Sequence, residues 1–194
     1  MLTGTDQWDL VTAFLKLRRA VFIEKMEWPL YQAEDMEFEQ YDRVDTVYVI
    51  AHIGNRVVGG ARLLRTDHIG GAGKVRYSYM IRDAYLGLLD GLPAAICDTD
   101  PPFSANVWEL TRLISDETAG VAELVLEATN DFLVEQKATR CLFLGPPAFM
   151  RMARSMAFQP NAMGKIQSNP DGRFLAFECP VRWPSGPEAA YLGF

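Results

Sequence analysis

The stretch that decides the fold is residues 46–64, TVYVIAHIGNRVVGGARLL. Residues 46–51 are mostly β-branched or aromatic, a composition typical of a strand. Gly54 and Asn55 give a turn signal, and residues 57–64 continue as a second extended segment. The pattern therefore predicts an antiparallel β-hairpin at the start of a sheet.

On the N-terminal side of this hairpin, the sequence predicts one amphipathic helix and then an irregular loop. Between about Asp9 and Glu27, apolar residues recur at helical spacing. Pro29 ends this segment, and the acidic stretch up to Tyr41 is typical of a loop. That stretch lacks the alternating oxygen ligands and the turn glycine of a calcium loop, so we expect no metal site there.

On the C-terminal side, segments with strand and helix patterns alternate. Such alternation predicts a three-layer α/β/α domain of the α/β class, built on one mixed sheet. In chain order we predict a flexible excursion at 70–73, a short helix at 81–89, a strand at 106–114, a helix at 119–136, a strand at 141–144, a helix at 148–156, strands at 163–166 and 174–179, and a loosely packed tail after residue 180.

The composition is typical of one globular domain and argues against several classes of protein. With 194 residues, 49% of them apolar, we expect a single domain over residues 1–194. The sequence contains no run of 18 apolar residues, so we expect no membrane-spanning helix, and the N-terminus lacks a signal-peptide pattern. Three widely spaced cysteines fit reduced thiols, so we expect a cytoplasmic protein. The net charge of −6 argues against general nucleic-acid binding.

Two charged residues in the predicted strand 106–114 are candidates for catalysis, Glu109 and Arg112. Strict alternation would place them on opposite faces of the strand. They could face one cleft if a bulge intervenes, and bulges are common near active sites. A structural ion pair is the alternative explanation. Arg62 has the same ambiguity, although the preceding Gly59-Gly60 would allow a ligand to approach the backbone closely.

The other candidate site residues indicate a pocket only when they are considered together. Arg18 and Phe22 are four apart and share a helix face, although alone Arg18 would be read as a solvated charge. Trp28, beside Pro29, could be an ordinary cap on the core. A charge-balanced set can survive in a partly buried pocket where a lone charge would be costly. That set consists of Arg18, Arg62 and Arg112 with Glu39, Asp42 and Glu109.

Taken in order, these segments resemble the LuxI-type acyl-homoserine-lactone synthases of bacterial quorum sensing. The matching motifs are Arg18, Phe22 and Trp28, then 37–42, 59–63, 79–81 with Tyr85, and 108–112. The resemblance implies a GNAT-like fold with a mainly antiparallel sheet. It also implies two substrates, S-adenosylmethionine and an acyl thioester on acyl carrier protein or coenzyme A, and no separate cofactor.

The resemblance also implies roles for individual residues. Glu109 would be the base that deprotonates the methionine amine, with Arg112 beside it. The S-adenosylmethionine pocket would comprise Arg18, Phe22, Trp28, Glu39, Asp42 and Arg62, and the acyl-chain pocket Met80, Tyr85, Thr111, Phe143 and Gly145. Acyl carrier protein is acidic, so docking would need a basic patch. Arg151 and Arg154 are candidates, with ordinary surface charge as the alternative.

Two departures from the family pattern bear on specificity. Glu39 stands where the family usually has Asp, which keeps the charge on a longer arm. Gly145 stands near the position where members that favour 3-oxo-acyl chains carry Thr. Because Gly145 offers no hydroxyl, we expect an acyl chain without a 3-oxo group.

Two other functions remain open from sequence. A GNAT-type N-acyltransferase could transfer an acyl group from acyl-coenzyme A to another amine, but the chain lacks the Arg/Gln-x-x-Gly-x-Gly/Ala loop that binds pyrophosphate. A non-catalytic member could bind a ligand in the same pocket. The presence of both Glu109 and Arg112 counts against that second alternative.

Overall fold

A seven-stranded sheet with helices on both faces forms the framework of the protein. The computed structural model describes residues 4–116, 118–169 and 172–184. The strands are β1 (Gln32–Ala33), β2 (Met36–Glu37), β3 (Val47–Ile53), β4 (Arg56–Arg65), β5 (Gly70–Ala72), β6 (Val75–Tyr77), β7 (Val107–Ser115), β8 (Arg140–Gly145), β9 (Asn161–Ala162), β10 (Gln167–Asn169) and β11 (Gly172–Pro180). The helices are α1 (Gly4–Arg18), a π-helical turn (Arg19–Lys25), α2 (Met80–Tyr85), a 3-10 turn (Ala94–Ile96), α3 (Val121–Glu135) and α4 (Pro147–Ser155).

The sheet is mixed and mainly antiparallel, as predicted. Its strand order is β10-β11-β8-β7-β4-β3, with β9 pairing to β11. Within the described ranges, β7 and β8 are the one parallel pair, and α3 makes the crossover between them. Two small hairpins, β1–β2 and β5–β6, lie outside this sheet. Among the described residues, none of the helices combines the length and the apolar content that a bilayer span requires.

The two faces of the sheet carry separate cores. On one face, α3 and α4 pack over residues such as Leu63, Leu110 and Phe177. On the other face, α1 packs over β3 and β4 through Phe14, and α2 packs over β7 and β8 through Ile81. The predicted three-layer α/β/α architecture is therefore confirmed.

Gly59 and Gly60 are needed for this packing, which corrects the idea that they admit a ligand. A Cβ on Gly60 would lie 2.8 Å from the ring of Phe14 in α1. A Cβ on Gly59 would lie 2.5 Å from the Cγ1 atom of Val121 in α3. The two glycines thus let a helix approach each face of β4.

The predicted hairpin at 46–64 is confirmed as β3 and β4. The predicted helix at 9–27 is confirmed in part, because α1 ends at Arg18 and a π-helical turn follows. The predicted excursion at 70–73 forms the hairpin β5–β6, which has positive φ values at Gly71 in β5 and at Gly73 in the turn. Local glycine content indicated a break in structure but not the pairing across it.

The predicted strand at 163–166 is wrong. Gly164 packs against the 3-10 turn, where a Cβ on Gly164 would lie 2.5 Å from the carbonyl oxygen of Ile96. This contact bends the chain and separates β9 from β10. The predicted loose tail is corrected for residues 181–184, because the Asn130 side chain both accepts from and donates to the backbone of Arg182. The remainder, 185–194, lies outside the described residues.

Candidate active site

A buried ionic network joins α1, the loop before β3 and the middle of β4. Arg18 and Arg62 are fully buried, and both contact Asp42. Arg18 donates to the two Asp42 carboxylate oxygens at 2.7 and 3.0 Å. Arg62 donates from Nη2 to Glu39 at 2.7 Å and from Nε to the Thr111 hydroxyl at 3.1 Å. Asp42 therefore links a cation from α1 to a cation from the sheet.

Glu37 completes this network, although the sequence motif did not single it out. Its Oε2 atom accepts from Arg18 Nε at 2.5 Å, and its Oε1 atom accepts from Arg112 Nη2 at 3.1 Å. Glu37 and Glu39 are two residues apart, and both contact Arg112 Nη2, at 3.1 and 3.0 Å. The acidic motif at 37–42 begins with Glu37, and that position is the signal that could have identified it. The network holds Arg18, Arg62 and Arg112 with Glu37, Glu39 and Asp42.

The network keeps Asp42 ionised. Burial raises the pKa of Asp42, but the hydrogen bonds from Arg18 and the charge of Arg62 outweigh burial and hold that pKa well below its usual range. Burial likewise lowers the pKa of Arg62, while Glu39 and Asp42 raise it to a higher net value. Both groups are therefore charged at neutral pH, and each charge is compensated by its partners.

A β-bulge in β7 brings Arg112 into the network. Between the pairs Gly60–Ile114 and Arg62–Thr111, β7 contributes one residue more than β4. Arg112 has a φ of 56°, a left-handed conformation that costs energy for a non-glycine residue. The bulge predicted as a possibility is therefore present. It turns Arg112 towards the face of the sheet that carries Thr111.

Glu109 is fully buried and lies outside the ionic network. Its carboxylate accepts from the backbone amides of Met80 at 3.0 Å and Ile81 at 2.7 Å, in the first turn of α2. Burial raises the pKa of Glu109 to about 7, although the two amide hydrogen bonds oppose that rise. The sequence predicted Glu109 as the third carboxylate of the six-charge group. In the structure Glu37 is that third carboxylate, which corrects the expectation.

A second buried carboxylate holds the same end of α2. Asp83 accepts from the backbone amide of Ser78 with both oxygens, at 3.0 and 2.9 Å, and from the Ser78 hydroxyl at 2.8 Å. Tyr41 also donates to Asp83 at 2.8 Å, and its ring lies under the guanidinium of Arg62 at 5.5 Å. The start of α2 is thus connected to the network through Tyr41.

Phe22 and Trp28 form an aromatic pair beside Arg112. Their rings are stacked, with centroids 5.2 Å apart and planes at 10°. The Arg112 guanidinium carbon lies 5.5 Å from the centre of the Phe22 ring. The π-helical turn and the bond from the Trp28 amide to the Phe22 carbonyl, 2.9 Å long, position the pair. The structure thus brings Arg18, Phe22 and Trp28 to one side of the network.

An open cleft of about 970 Å³ lies on another side of the network. Glu39 and Asp42 line it, whereas Phe22 and Trp28 do not. The other lining residues include three aromatic side chains, Tyr31, Phe38 and Tyr77. The hairpin β5–β6 forms one wall through Gly70 and Gly71. Four of the six residues predicted to bind S-adenosylmethionine therefore belong to the network, the other two, Phe22 and Trp28, lie beside it, and the six do not line one cavity.

The five residues predicted to form the acyl-chain pocket do not lie together. Met80 and Tyr85 pack in the core under α2, and Thr111 contacts Arg62 on that same face. Phe143 packs in the core under α3 and α4, and Gly145 lies beside Phe149 of α4. The register explains the separation: Leu110 pairs with Phe143 and shares its face, so the next residue of β7, Thr111, points to the opposite face.

The parallel pairing of β7 and β8 stops partway along both strands. Register pairs run from Val107–Arg140 to Leu110–Phe143. β7 continues to Ser115 and β8 to Gly145 without pairing to each other. The bulge at Arg112 begins where the pairing ends. The facing edges of both strands therefore leave backbone groups available beside the ionic network.

The remaining predictions concern the surface and metals. Arg151 and Arg154 are both exposed on α4, which follows β8 directly. Arg154 also contacts the Met150 sulfur at 3.9 Å. Over the described parts of the chain, no group of three or more His, Cys, Asp or Glu side chains is arranged to hold a metal ion.

Comparison with known proteins identifies the family of this chain. The family model for autoinducer synthases matches residues 5–153. An acyl-homoserine-lactone synthase of Acinetobacter nosocomialis is 26% identical over 80% of this chain and 83% of its own length. A solved structure of TofI, in a ternary complex with an inhibitor and MTA, is 26% identical with a TM-score of 0.72, covering 93% of this chain and 87% of TofI.

A more distant structure shows the breadth of the fold. A candidate N-acetyltransferase from Lactobacillus plantarum has a TM-score of 0.57 at 12% identity, covering 93% of this chain and 94% of that one. At that identity the likeness concerns the fold alone, and it agrees with the predicted GNAT-like architecture. The chain therefore belongs to the autoinducer synthase family, a family of acyl-homoserine-lactone synthases.

Proposed function

We propose that the chain makes an N-acyl-homoserine lactone from S-adenosylmethionine and an acyl thioester. One observation carries the proposal. Of the carboxylates in the network, Glu37 and Asp42 have fully buried side chains, whereas Glu39 keeps 14% of its side chain exposed. Arg112, which lies 3.0 Å from Glu39, keeps 8% of its side chain exposed. The network thus offers one anion and one cation, side by side, to a ligand.

This slightly exposed ion pair matches the methionine end of S-adenosylmethionine. That end carries an ammonium and a carboxylate on the same carbon, which would bind Glu39 and Arg112 respectively. The stacked rings of Phe22 and Trp28 lie beside Arg112 and offer an aromatic face to the sulfonium cation. The remaining buried charges hold Glu39 and Arg112 in place, so little side-chain entropy is lost when the substrate binds.

The separated strands β7 and β8 suit the acyl donor. The pantetheine arm of acyl carrier protein or coenzyme A is an extended chain with two amide groups. Such a chain can pair with unpaired strand edges in the manner of an added strand. A donor in this opening would bring its thioester next to the bulge at Arg112. Arg151 and Arg154, on the helix after β8, would contact the acidic carrier or the nucleotide phosphates.

The chemistry then needs one proton acceptor and a fixed substrate conformation. The ammonium group must lose a proton before it can attack, and we propose Glu109, whose pKa is about 7, as the acceptor through a water molecule. Each Glu109 oxygen accepts one backbone amide and retains a further lone pair. The amine attacks the thioester carbonyl, the carbon–sulfur bond breaks, and the thiol leaves with a proton.

Lactone formation requires no further activation. The substrate carboxylate attacks its own Cγ, and the bond from Cγ to the sulfonium sulfur breaks with its electron pair moving to sulfur. Methylthioadenosine leaves as a neutral product. The sulfonium is already a good leaving group, so holding the chain folded supplies much of what this step needs. We therefore propose that no cofactor takes part and that the reaction proceeds in the cytoplasm, where both substrates are made.

The test is turnover with a panel of acyl donors. The protein is incubated with S-adenosylmethionine and acyl thioesters on coenzyme A or acyl carrier protein, and methylthioadenosine and lactone are measured by mass spectrometry. We expect both products from at least one donor, with lactones that lack a 3-oxo group. Transfer of the acyl group to another amine without methylthioadenosine would identify an ordinary N-acyltransferase instead. Binding of both substrates without turnover would identify a non-catalytic member.

A further inference from the structure

A phenylalanine ring lies at the point where β7 and β8 separate. Strand pairing ends at Phe143, two residues before the end of β8 at Gly145. Helix α4 begins at Pro147, so Phe149 lies in its first turn. A Cβ on Gly145 would lie 2.9 Å from the Cδ1 atom of Phe149. The ring of Phe149 therefore fills the space that a side chain at position 145 would occupy.

Phe149 is one of three rings that pack together under this opening. Phe143 stacks on Phe177 with centroids 4.9 Å apart and planes at 11°. Phe149 meets both edge-on, at 5.4 Å from Phe143 and 5.5 Å from Phe177. Phe143 and Phe177 are buried, whereas Phe149 is half-buried. Phe149 is therefore the member of this aromatic triad that reaches the surface.

The space behind the aromatic triad is small. A cavity of about 20 Å³ lies between α3, α4 and the sheet, which is room for about one water molecule. Phe143 and Phe149 line its near side, and Thr129, Cys141 and Val181 are among the residues on its other sides. The cavity is therefore too small for the tail of a long acyl chain while the ring of Phe149 stays in place.

The opposite face of the opening is closed as well. There the side chain of Glu109 is buried against α2, and Ile81, Leu142 and Ala176 are fully buried around it. An acyl chain directed to that side would have to displace a carboxylate that holds two backbone amides. The α3 and α4 side, with its apolar and aromatic lining, is the favourable direction for an acyl chain.

We propose that Phe149 determines the acyl-chain length, closing the acyl site so that this enzyme uses short-chain acyl thioesters. The inference rests on the proposed function, because it assigns the acyl group to the opening between β7 and β8. Removing the ring would join the opening to the cavity behind the aromatic triad. Each methylene group that enters the enlarged site would then raise kcat/KM by about fourfold.

The experiment compares Phe149→Ala with a matched control, Phe132→Ala. Phe132 packs in the same core, edge-on to Trp108 at 5.2 Å, and does not line the cavity. Both variants lose one ring from the α3 and α4 side. Purified enzymes are assayed with butanoyl and octanoyl thioesters on both carriers, and methylthioadenosine release gives kcat/KM for each donor.

We expect the wild type to prefer butanoyl donors, and Phe149→Ala to shift the ratio towards octanoyl donors by about tenfold or more. Phe132→Ala should leave the ratio unchanged even if it lowers stability. Phe149→Leu, which keeps the site apolar, provides the same comparison, with a smaller shift, if Phe149→Ala fails to fold. A wild type that prefers octanoyl donors, or equal shifts in the Phe149 and Phe132 variants, would overturn the inference. A wild type inactive with every donor would instead contradict the proposed function.

Discussion

The Oε1 atom of Glu109 accepts a hydrogen bond of 2.7 Å from the backbone amide of Ile81. Its Oε2 atom accepts one of 3.0 Å from Met80, so one carboxylate connects the centre of β7 to the start of α2. Glu109 therefore has a structural task in addition to the proton transfer proposed for it. The two tasks can be separated experimentally.

Glu109→Gln should impair both tasks to different degrees. A glutamine side chain presents an NH₂ group to one of the two backbone amides, so one buried donor loses its acceptor. We expect a loss of about 1–3 kcal/mol in the free energy of unfolding. As the proton acceptor, Glu109 should contribute a factor of about 100 or more to kcat. Urea unfolding measures the loss of stability, S-adenosylmethionine titration measures the loss of affinity, and single-turnover kinetics measure the loss of rate. A kcat that falls only as much as substrate affinity would indicate a purely structural role.

The raised pKa of Glu109 predicts how stability depends on pH. The pKa is about 7 in the folded protein against an ordinary value of 4.5, so the folded state binds the proton more tightly. Protonation of Glu109 therefore contributes about 3 kcal/mol to the free energy of unfolding. This contribution is fully present below pH 4.5 and is lost as the pH rises through 7. The measurement is the difference in unfolding free energy between wild type and Glu109→Gln from pH 4.5 to 8. In this difference the contribution of other groups, such as Asp42, cancels. A difference independent of pH would contradict the assignment.

The buried network should be far more sensitive than surface ion pairs. Arg18→Met removes the shared partner of Glu37 and Asp42 and leaves both carboxylates buried with fewer compensating charges. We expect a loss of about 3–5 kcal/mol in unfolding free energy. The control is Lys16→Met in the same helix, which breaks a pair with Asp35 that is about half exposed on both sides. That variant should lose no more than about 1 kcal/mol. Similar losses in both variants would show that the network does not depend on Arg18.

Glu39, the one carboxylate of the network that is not fully buried, should govern affinity for S-adenosylmethionine. Glu39→Gln removes the charge proposed to face the substrate ammonium while keeping the length of the side chain. A charge-assisted hydrogen bond is worth about 1.5–3 kcal/mol, so the dissociation constant should rise by about tenfold or more. Isothermal titration calorimetry measures this dissociation constant. Glu34→Gln, in the exposed turn between β1 and β2, is the matched control and should bind as the wild type does. Equal affinity in Glu39→Gln and wild type would place the ammonium elsewhere.

The sequence predicted the framework well because local patterns determine it. Alternation and turn residues identified β3 and β4, and helical periodicity identified α3. The strand near residue 163 was mispredicted because a tertiary contact of Gly164 with Ile96 bends the chain. The π-helical turn after Arg18 has no local signature comparable to a cap or a proline. Its effect is to bring Phe22 and Trp28 together.

The sequence predicted which residues belong to the site better than it predicted how they are arranged. Motif order identified Arg18, Asp42 and Arg112, but the role of Glu37, the first residue of the motif at 37–42, emerged only from the fold, since it meets a residue 75 positions away. The acyl-chain residues were grouped by motif, while strand alternation places them on two faces. Such partners depend on register and on the bulge in β7, which sequence spacing alone does not determine.

The most direct test of the account is the stoichiometry of products from a single reaction. With S-adenosylmethionine and a butanoyl thioester, the account predicts equal amounts of free thiol, methylthioadenosine and N-butanoyl-homoserine lactone. The three should rise together at neutral pH and far more slowly in Glu109→Gln. Free thiol that accumulates without methylthioadenosine and lactone would contradict the account, because the acyl group would then have reached water or another amine.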